Sequence, residues 1–445
     1  AAVNAGIYTL SETNGPAGYA ASSWTCTAGA LNGSSLTLTA GQTATCTINN
    51  NDIAPTLTIQ KTVLNNNGGT AVANNFQGKI DGNNVAWNTV ITVSSGAHTA
   101  SETNLPGYTA GNWGGDCAAD GSVTLALGEN KTCTITNDDQ PGTLIVKKVV
   151  DNGNTGATTG PSAFSFQVNG GSVTGFESDG QNDLTVNAGT YSVSEPAVVG
   201  YTTSYSNCSN VAVTNGGTAT CTITNTAIAP TLKLVKTVIN NNGGTSTVSD
   251  FVLKIDVTQV TSGNVNTVTV GAHTASEINL PFYVAGDWGG DCAVNGSVTL
   301  ALGENKTCTI TNDDVDPILH VIKHVINDNG GTAVSSDFVI SVTGVNPSTS
   351  SFAGSESGVT VILDAGGFYT IVESAAPGYV TTYSDHCSGV LALGEEQTCT
   401  ITNNDQPGHL IVHKVTNPSD VKTEFSITAT GGTVVSPAAT QSIIE

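Results

Sequence analysis

The sequence predicts an all-β protein, a tandem array of antiparallel β-sandwich domains forming an extended rod. Three observations predict it. Asn, Thr, Gly, Ser and Val dominate the composition; Thr and Val favour strands, Gly and Asn favour turns. No sustained helical periodicity appears anywhere in the 445 residues. A fixed pattern also returns along the chain. "TCTITN" ends at Asn137, Asn225, Asn312 and Asn403, with "TCTINN" ending at Asn50, and a Leu-x-apolar-x-Lys strand recurs at Lys61, Lys148, Lys236, Lys323 and Lys414.

Successive lysines are 87, 88, 87 and 91 residues apart, a length that suits one sandwich per repeat. "GSVTLALGENKTCTITNDD" occurs twice, from Gly121 and from Gly296, so the duplicated unit was a pair of domains. In order, the expected elements are a partial sandwich at 1–52, four complete beads at 53–140, 141–227, 228–315 and 316–406, and a second partial sandwich at 407–445. Short Pro-bearing junctions such as "NDIAPT" and "NDDQPGT" separate them and should be stiff. The partial ends are complementary. "VNAGIYTLSET" from Val3 matches "VNAGTYSVSEP" from Val186, and "EFSITATGGTVV" near the end matches "AFSFQVNGGSVT" from Ala163. The tail of one chain followed by the head of the next spells one full unit. Two expectations follow: copies join head to tail by strand complementation, or the chain is a window on a longer array. The first residues, Ala-Ala-Val, carry no initiator Met or signal peptide, as in a processed or excerpted product.

Charge narrows the function. Lys plus Arg is 12 against 35 Asp plus Glu, for a net charge of −23, and Arg is absent. Nucleic acid and anionic membrane are repelled by such a chain. Its apolar runs are too short for a membrane span. The ten cysteines fall in five close pairs, Cys26/Cys46, Cys117/Cys133, Cys208/Cys221, Cys292/Cys308 and Cys387/Cys399, without CxxC spacing. Disulfides in an oxidising, extracellular setting are the expectation.

Within each bead three polar residues share the core-facing phase of their strands. Leu57, Ile59, Lys61 and Val63 alternate on one face. "YTIVE" puts Glu373 in phase with Tyr369 and Ile371, and "HTASE" does the same for Glu102 with His98. In "CTITN", Asn137 follows Cys133 and Ile135. Each complete bead thus buries a Lys, a Glu and an Asn: Lys61/Glu102/Asn137, Lys148/Glu195/Asn225, Lys236/Glu277/Asn312 and Lys323/Glu373/Asn403. The partial ends together supply Lys414, Glu12 and Asn50. One unpaired buried charge costs several kcal/mol, so three complementary groups per bead point to a site. Desolvation makes a lysine neutral and nucleophilic and keeps a carboxyl protonated. Attack on the asparagine amide, with loss of ammonia, would join first and last strands. The alternative is a buried Lys–Glu pair, hydrogen-bonded to Asn, with no bond formed.

The lysine in the first strand, "ETNLPGY" from Glu102, "ESAAPGY" from Glu373 and the asparagine ending the last strand resemble Ig-like, CnaB-type (prealbumin-like) domains of Gram-positive pilins and adhesin stalks. The resemblance covers nearly the whole chain and implies intramolecular Lys–Asn isopeptide bonds at the four triads. "EPAVVGY" from Glu195 and "EINLPFY" from Glu277 lack part of the turn motif, the cysteine pairs are unusual for the family, and no LPxTG sorting signal appears.

Weaker signals accompany these. Asp138/Asp139 and Asp313/Asp314 with Asp316 sit at junctions, where oxygen clusters can hold Ca²⁺; without EF-hand spacing, solvated turns are favoured. Sequons stand at Asn32, Asn130, Asn207, Asn295 and Asn305. Trp24, Trp113 and Trp288 precede repeat cysteines and should pack against them. His320, His324, His409 and His413 take outward phases. No constellation with catalytic turnover is present. The expected function is therefore structural: a subunit of an extracellular filament, partnered by its own copies. An adhesin stalk is the alternative; an array of ligand-binding modules has no aromatic-rich support.

Overall fold

The computed structural model describes residues 1–412, 414–415 and 431. The chain divides into two compact units. One comprises residues 1–153 and 157–228, the other residues 154–156 and 229 onward. Among the described residues, each is built from strands with only short 3-10 turns.

In the first unit, the bead at 53–140 has two facing sheets. One runs Val90–Thr92, Thr56–Leu64, Asn130–Asp139, Tyr108–Ala110; the other runs Asn83–Val85, Gln77–Ile80, Gly96–Thr103, Ser122–Leu125. Alternation along Thr56–Leu64 sends Leu57 and Ile59 inward, both fully buried, to meet Phe76, Ile80, Val123, Leu125 and Ile135. The next bead follows the same plan around Leu144, Val146, Phe166 and Ile223. In the second unit, Leu232, Leu234 and Leu253 centre one bead and Leu319, Val321 and Ile340 the other.

Most neighbouring strands are antiparallel, as expected of a sandwich. The first and last strands of each complete bead are the exception: they pair in parallel. Ile135 lies beside Lys61 and Asn137 beside Val63. The same register recurs for Lys148 with Ile223, Lys236 with Ile310 and Lys323 with Ile401. Parallel neighbours in register point to the same face, so the lysine and the asparagine enter one core side by side.

Residues 1–52 form smaller sheets: Gly6–Thr9, Ser35–Leu38, Ala30–Asn32 in one, and Tyr19–Ala21 with Asn50–Asp52 in another.

All five expected cysteine pairs are disulfides: Cys26 with Cys46, Cys117 with Cys133, Cys208 with Cys221, Cys292 with Cys308, and Cys387 with Cys399. The spacing did not reveal how deep they lie. In the complete beads the second cysteine of each pair, Cys133, Cys221, Cys308 or Cys399, is 0% exposed. Each lies in the last strand beside an apolar residue of the lysine strand: Cys133 beside Ile59, Cys221 beside Val146, Cys308 beside Leu234 and Cys399 beside Val321. These cystines are therefore core groups as well as staples.

Trp113 and Trp288 pack, partly buried, against clusters that contain the cystines Cys117–Cys133 and Cys292–Cys308. His320 and His324 face outward, where they meet Glu396 and Glu356. His413 and most of 416–445 lie outside the described residues. No helix among the described residues is long and apolar enough to cross a membrane.

Candidate functional site

The lysine side chains of the four triads are 0% exposed. Each ammonium lies over an aromatic face: Lys61 Nζ is 4.2 Å from the Phe76 ring centroid, Lys148 4.3 Å from Phe164, Lys236 4.2 Å from Phe251 and Lys323 4.6 Å from Phe338. A short 3-10 turn (Ala73–Asn75 in the first complete bead) delivers each phenylalanine, and a tyrosine braces the ring edge-on, as Tyr108 does for Phe76 at 5.4 Å. Burial pushes all four lysines below their ordinary pKa; the paired glutamates pull the other way, by hydrogen bond and by charge, without cancelling the effect.

Each lysine is paired with the expected glutamate. Lys61 bonds to Glu102 and Lys148 to Glu195; Lys236 Nζ is 2.8 Å from Glu277 Oε2, and Lys323 Nζ is 3.0 Å from Glu373 Oε2. The second carboxyl oxygen meets the asparagine in three beads. Asn137 Nδ2 donates to Glu102 Oε1 at 2.6 Å, Asn225 Nδ2 to Glu195 Oε1 at 2.5 Å, and Asn403 Nδ2 to Glu373 Oε1. Asn312 differs: its Nδ2 donates to Asn279 Oδ1 at 2.7 Å, and Glu277 Oε1 is buried without a partner. All four asparagines are fully buried, and all four carbonyl oxygens lack a hydrogen-bond partner. A buried lysine of lowered pKa and an unsatisfied buried asparagine carbonyl recur together in all four beads, although buried polar atoms are normally paired. The arrangement suits an amine poised to lose its proton, an amide carbonyl without a competing donor and, in three of the four beads, a carboxyl touching both nitrogens.

The disulfides tie down the same strand. Cys133, Cys221, Cys308 and Cys399 each share an inward phase with the asparagine two alternations further on, Asn137, Asn225, Asn312 or Asn403. The strand that carries the amide is thus anchored on the core side of the site.

In the 1–52 segment Asn50 Nδ2 donates to Glu12 Oε1 at 2.6 Å, so two members of the fifth triad meet. Their surroundings differ from those of a complete bead: both are exposed, and Cys46 and Ile48 are half-buried where Cys133 is fully buried and Ile135 3% exposed. Lys414 is exposed and belongs to the other unit.

Two of the junction aspartates, Asp139 and Asp314, are buried among backbone donors and are neither solvated turns nor open to a cation. Asp139 is 1% exposed and accepts from the backbone N–H groups of Asn66, Asn67 and Gly69. Asp314 receives Asn241, Asn242 and Gly244 in the same way. Donors thus occupy the lone pairs a cation would need. Asp405 repeats the motif with Asp328, Asn329 and Gly331, a role the sequence reading missed. Asp138 and Asp316 are half-buried and Asp313 is exposed. Burial, with Asp314, Asp313 and Asp364 nearby, raises the Asp316 carboxyl. Among the described residues no group of three or more His, Cys, Asp or Glu side chains is placed to hold a metal ion.

Sequence reasoning also missed the aromatic lids. Their signal was present: Phe76, Phe164, Phe251 and Phe338 each open the strand after the lysine loop, at nearly constant distance from the lysine.

Comparison with known proteins agrees with this architecture. A model of the prealbumin-like fold domain matches five times, at residues 1–48, 52–135, 139–225, 227–310 and 314–403. No curated protein matches the sequence. Among solved structures, the TIE protein of Bacillus anthracis is similar over 90% of this chain and 75% of its own, at 15% identity and a TM-score of 0.41. Two B repeat units of the collagen binding protein of Staphylococcus aureus align over 79% of this chain and 99% of theirs, at 14% identity and a TM-score of 0.18. The major pilin SpaD of Corynebacterium diphtheriae aligns over 60% and 98%, at 12% identity and a TM-score of 0.19. The five domain matches span most of the sequence, and the chain belongs to the family of prealbumin-like fold domains.

Proposed function

We propose that this protein is a structural element of an extracellular fibre or adhesive stalk, in which Lys–Asn isopeptide bonds and disulfides secure each bead. The observation that carries the reading is the buried lysine–glutamate pair with an unpaired asparagine carbonyl, repeated in four beads, the glutamate also meeting the asparagine nitrogen in three of them. The neutral Lys61 amine attacks Asn137 Cγ, a proton passes from Nζ by way of Glu102 to Nδ2, and ammonia leaves. The same step applies to Lys148/Asn225, Lys236/Asn312 and Lys323/Asn403. The set reacts once and does not turn over.

A second element of the proposal concerns residues 1–52. Their half-covered core and exposed Glu12–Asn50 pair favour completion by a lysine strand supplied in trans, with "HLIVHKV" around Lys414 of another copy as the occupant. The alternative is the stalk of a surface adhesin or of a longer repeat protein.

The test is the intact mass of native material after denaturation and disulfide reduction. A chain lighter by one ammonia for each of four beads supports the internal bonds. A ladder of multiples supports bonding of Lys414 to the next copy. An unmodified mass leaves only ion pairs and disulfides, and the isopeptide reading is then wrong. Because the amine must be neutral, bond formation is expected to speed up as pH rises through the lowered lysine pKa.

A further inference from the structure

The four triads fall into two kinds. In the beads at 53–140 and 228–315, the second residue after the glutamate is an asparagine, Asn104 or Asn279. In the other two it is Ala197 or Ala375. Asn137 Nδ2 donates to Glu102 Oε1 at 2.6 Å and also to Asn104 Oδ1 at 3.2 Å, so both of its hydrogens are engaged. Asn312 Nδ2 donates to Asn279 Oδ1 at 2.7 Å. Asn225 and Asn403 have only the glutamate. Asn104 is itself oriented: its Nδ2 donates to the Tyr108 carbonyl at 3.3 Å, and its Oδ1 also accepts from Leu105 N at 3.1 Å. Asn104 and Asn279 are exposed, whereas the amides they hold are fully buried.

We infer that Asn104 and Asn279 are positioning residues for amide exchange in their two beads, each holding the departing nitrogen and linking it to solvent. The inference rests on the lysine–asparagine reading above. In Asn137 both N–H groups are held, so the planar amide has one orientation, with its nitrogen toward the proton-carrying carboxyl and its carbonyl turned away; in Asn312 the bond to Asn279 alone holds the nitrogen, and Glu277 Oε1 is left unpaired. As the Nζ–Cγ bond forms and the Cγ–Nδ2 bond breaks, the proton lost by Nζ reaches Nδ2 through Glu102, which bonds to both nitrogens; in the bead at 228–315 it passes to Glu277, whose free Oε1 must turn to Asn312 Nδ2 to deliver it. The nitrogen leaves as ammonia while still donating to the asparagine oxygen. That oxygen belongs to a side chain at the surface, so the polar product is handed to water and not to the apolar core. Neither asparagine is consumed.

The experiment follows bond formation bead by bead in the full chain, synthesised in the cold under oxidising conditions, quenched in acid at intervals, digested and measured by mass spectrometry for each lysine–asparagine peptide pair. Asn104→Ala is expected to slow the bead at 53–140 roughly five- to tenfold, the effect of one lost hydrogen bond in the transition state. The beads at 141–227 and 316–406 of the same molecules keep their rates. Asn279→Ala is expected to do the same to its own bead. Asn104→Ser, polar but too short to reach Asn137, slows to the same extent. The midpoint of the pH–rate profile stays in place, because the lysine is untouched. Asn104→Asp, which keeps the accepting oxygen, restores the rate that Asn104→Ala loses, whereas a residue acting only through its bonds to Tyr108 and Leu105 would alter melting without altering the rate. An unaltered rate in both alanine variants overturns the inference while the isopeptide reading stands. Absence of ammonia loss from every bead of the parent chain is a different failure and removes both.

Discussion

Both ring nitrogens of His98 face acceptors: Nδ1 is 2.6 Å from Asp81 Oδ2 and Nε2 is 2.8 Å from the Ser94 carbonyl. His273 repeats this with Asp256 and the Thr269 carbonyl, each at 2.8 Å. Only the imidazolium, with two N–H groups, satisfies two acceptors. The Asp81 hydrogen bond accordingly raises the His98 pKa; for His273, burial opposes the charge and the Asp256 and Thr269 bonds outweigh it. A raised folded pKa gives stability that is complete below the unfolded value of about 6.5 and is lost as pH climbs through the folded value. Asp81, lowered first by the His98 hydrogen bond, sets the acid side: its contribution disappears as pH falls through its lowered pKa. Because Asp81 is 44% exposed, the pair contributes no more than about 1 kcal/mol. NMR titration should find His98 and His273 titrating above ordinary histidine, and Asp81→Asn should bring His98 back down. The equivalent strand phase in the other beads holds Tyr191 and Tyr369, whose hydroxyls donate to backbone carbonyls, so those beads should lack this pH dependence.

At the scale of the element, the loop after the lysine strand is held by a residue from the far end of its bead. Asp139, last in its strand, gathers the N–H groups of Asn66, Asn67 and Gly69, and Tyr108 Oη donates to Asn65 Oδ1 at 2.6 Å while accepting from Ala71 N. This closes the loop over the end of the parallel strand pair. Backbone hydrogen bonds depress the Asp139 pKa against the opposing effect of burial. Asp139→Ala leaves several N–H groups without their acceptor and should cost about 3 kcal/mol. Hydrogen exchange at Asn66, Asn67 and Gly69 is expected to accelerate by roughly a hundredfold. The bead at 141–227 carries Ala227 where the others carry aspartate, so its corresponding loop should exchange faster.

Over the whole molecule, adjacent beads within a unit share one kind of joint. Asn67 O accepts from Ala188 N at 2.7 Å in the first unit, and Asn242 O accepts from Ala365 N at 2.8 Å in the second. The glycine that follows each asparagine is required: at Gly68 φ is +83°, and a Cβ would lie 2.3 Å from the Ala188 carbonyl oxygen. Gly68→Ala should open this joint and expose residues 139–142 to limited proteolysis. The proposed bonds act at the same scale. A bond between residues 61 and 137 ties the two strands through which force enters and leaves the bead. Pulling a single chain should therefore extend none of the four beads, and Lys61→Ala should restore one unfolding step.

The sequence alone determined the all-β class, the repeat, the cysteine pairs, and the Lys, Glu and Asn of each triad. Strict alternation makes the buried face readable from one strand, and a polar residue in that phase stands out five times over. It also determined that Glu12 and Asn50 belong together, by comparison with the complete beads. What it left undecided were relations between strands. The parallel register that sets Lys61 beside Ile135, and Cys221 and Cys399 against the lysine strands of their beads, comes from distant pairing, which local pattern does not encode. Phe76 over Lys61, Asn104 on Asn137 and the loop amides around Asp139 are contacts across turns, and an exposed-looking Asn or Asp gives no local sign of them. Asp139 shows the reason most plainly: in sequence it is one of two acids in a polar junction, and only packing decides that it is buried among donors and not open to water or a cation.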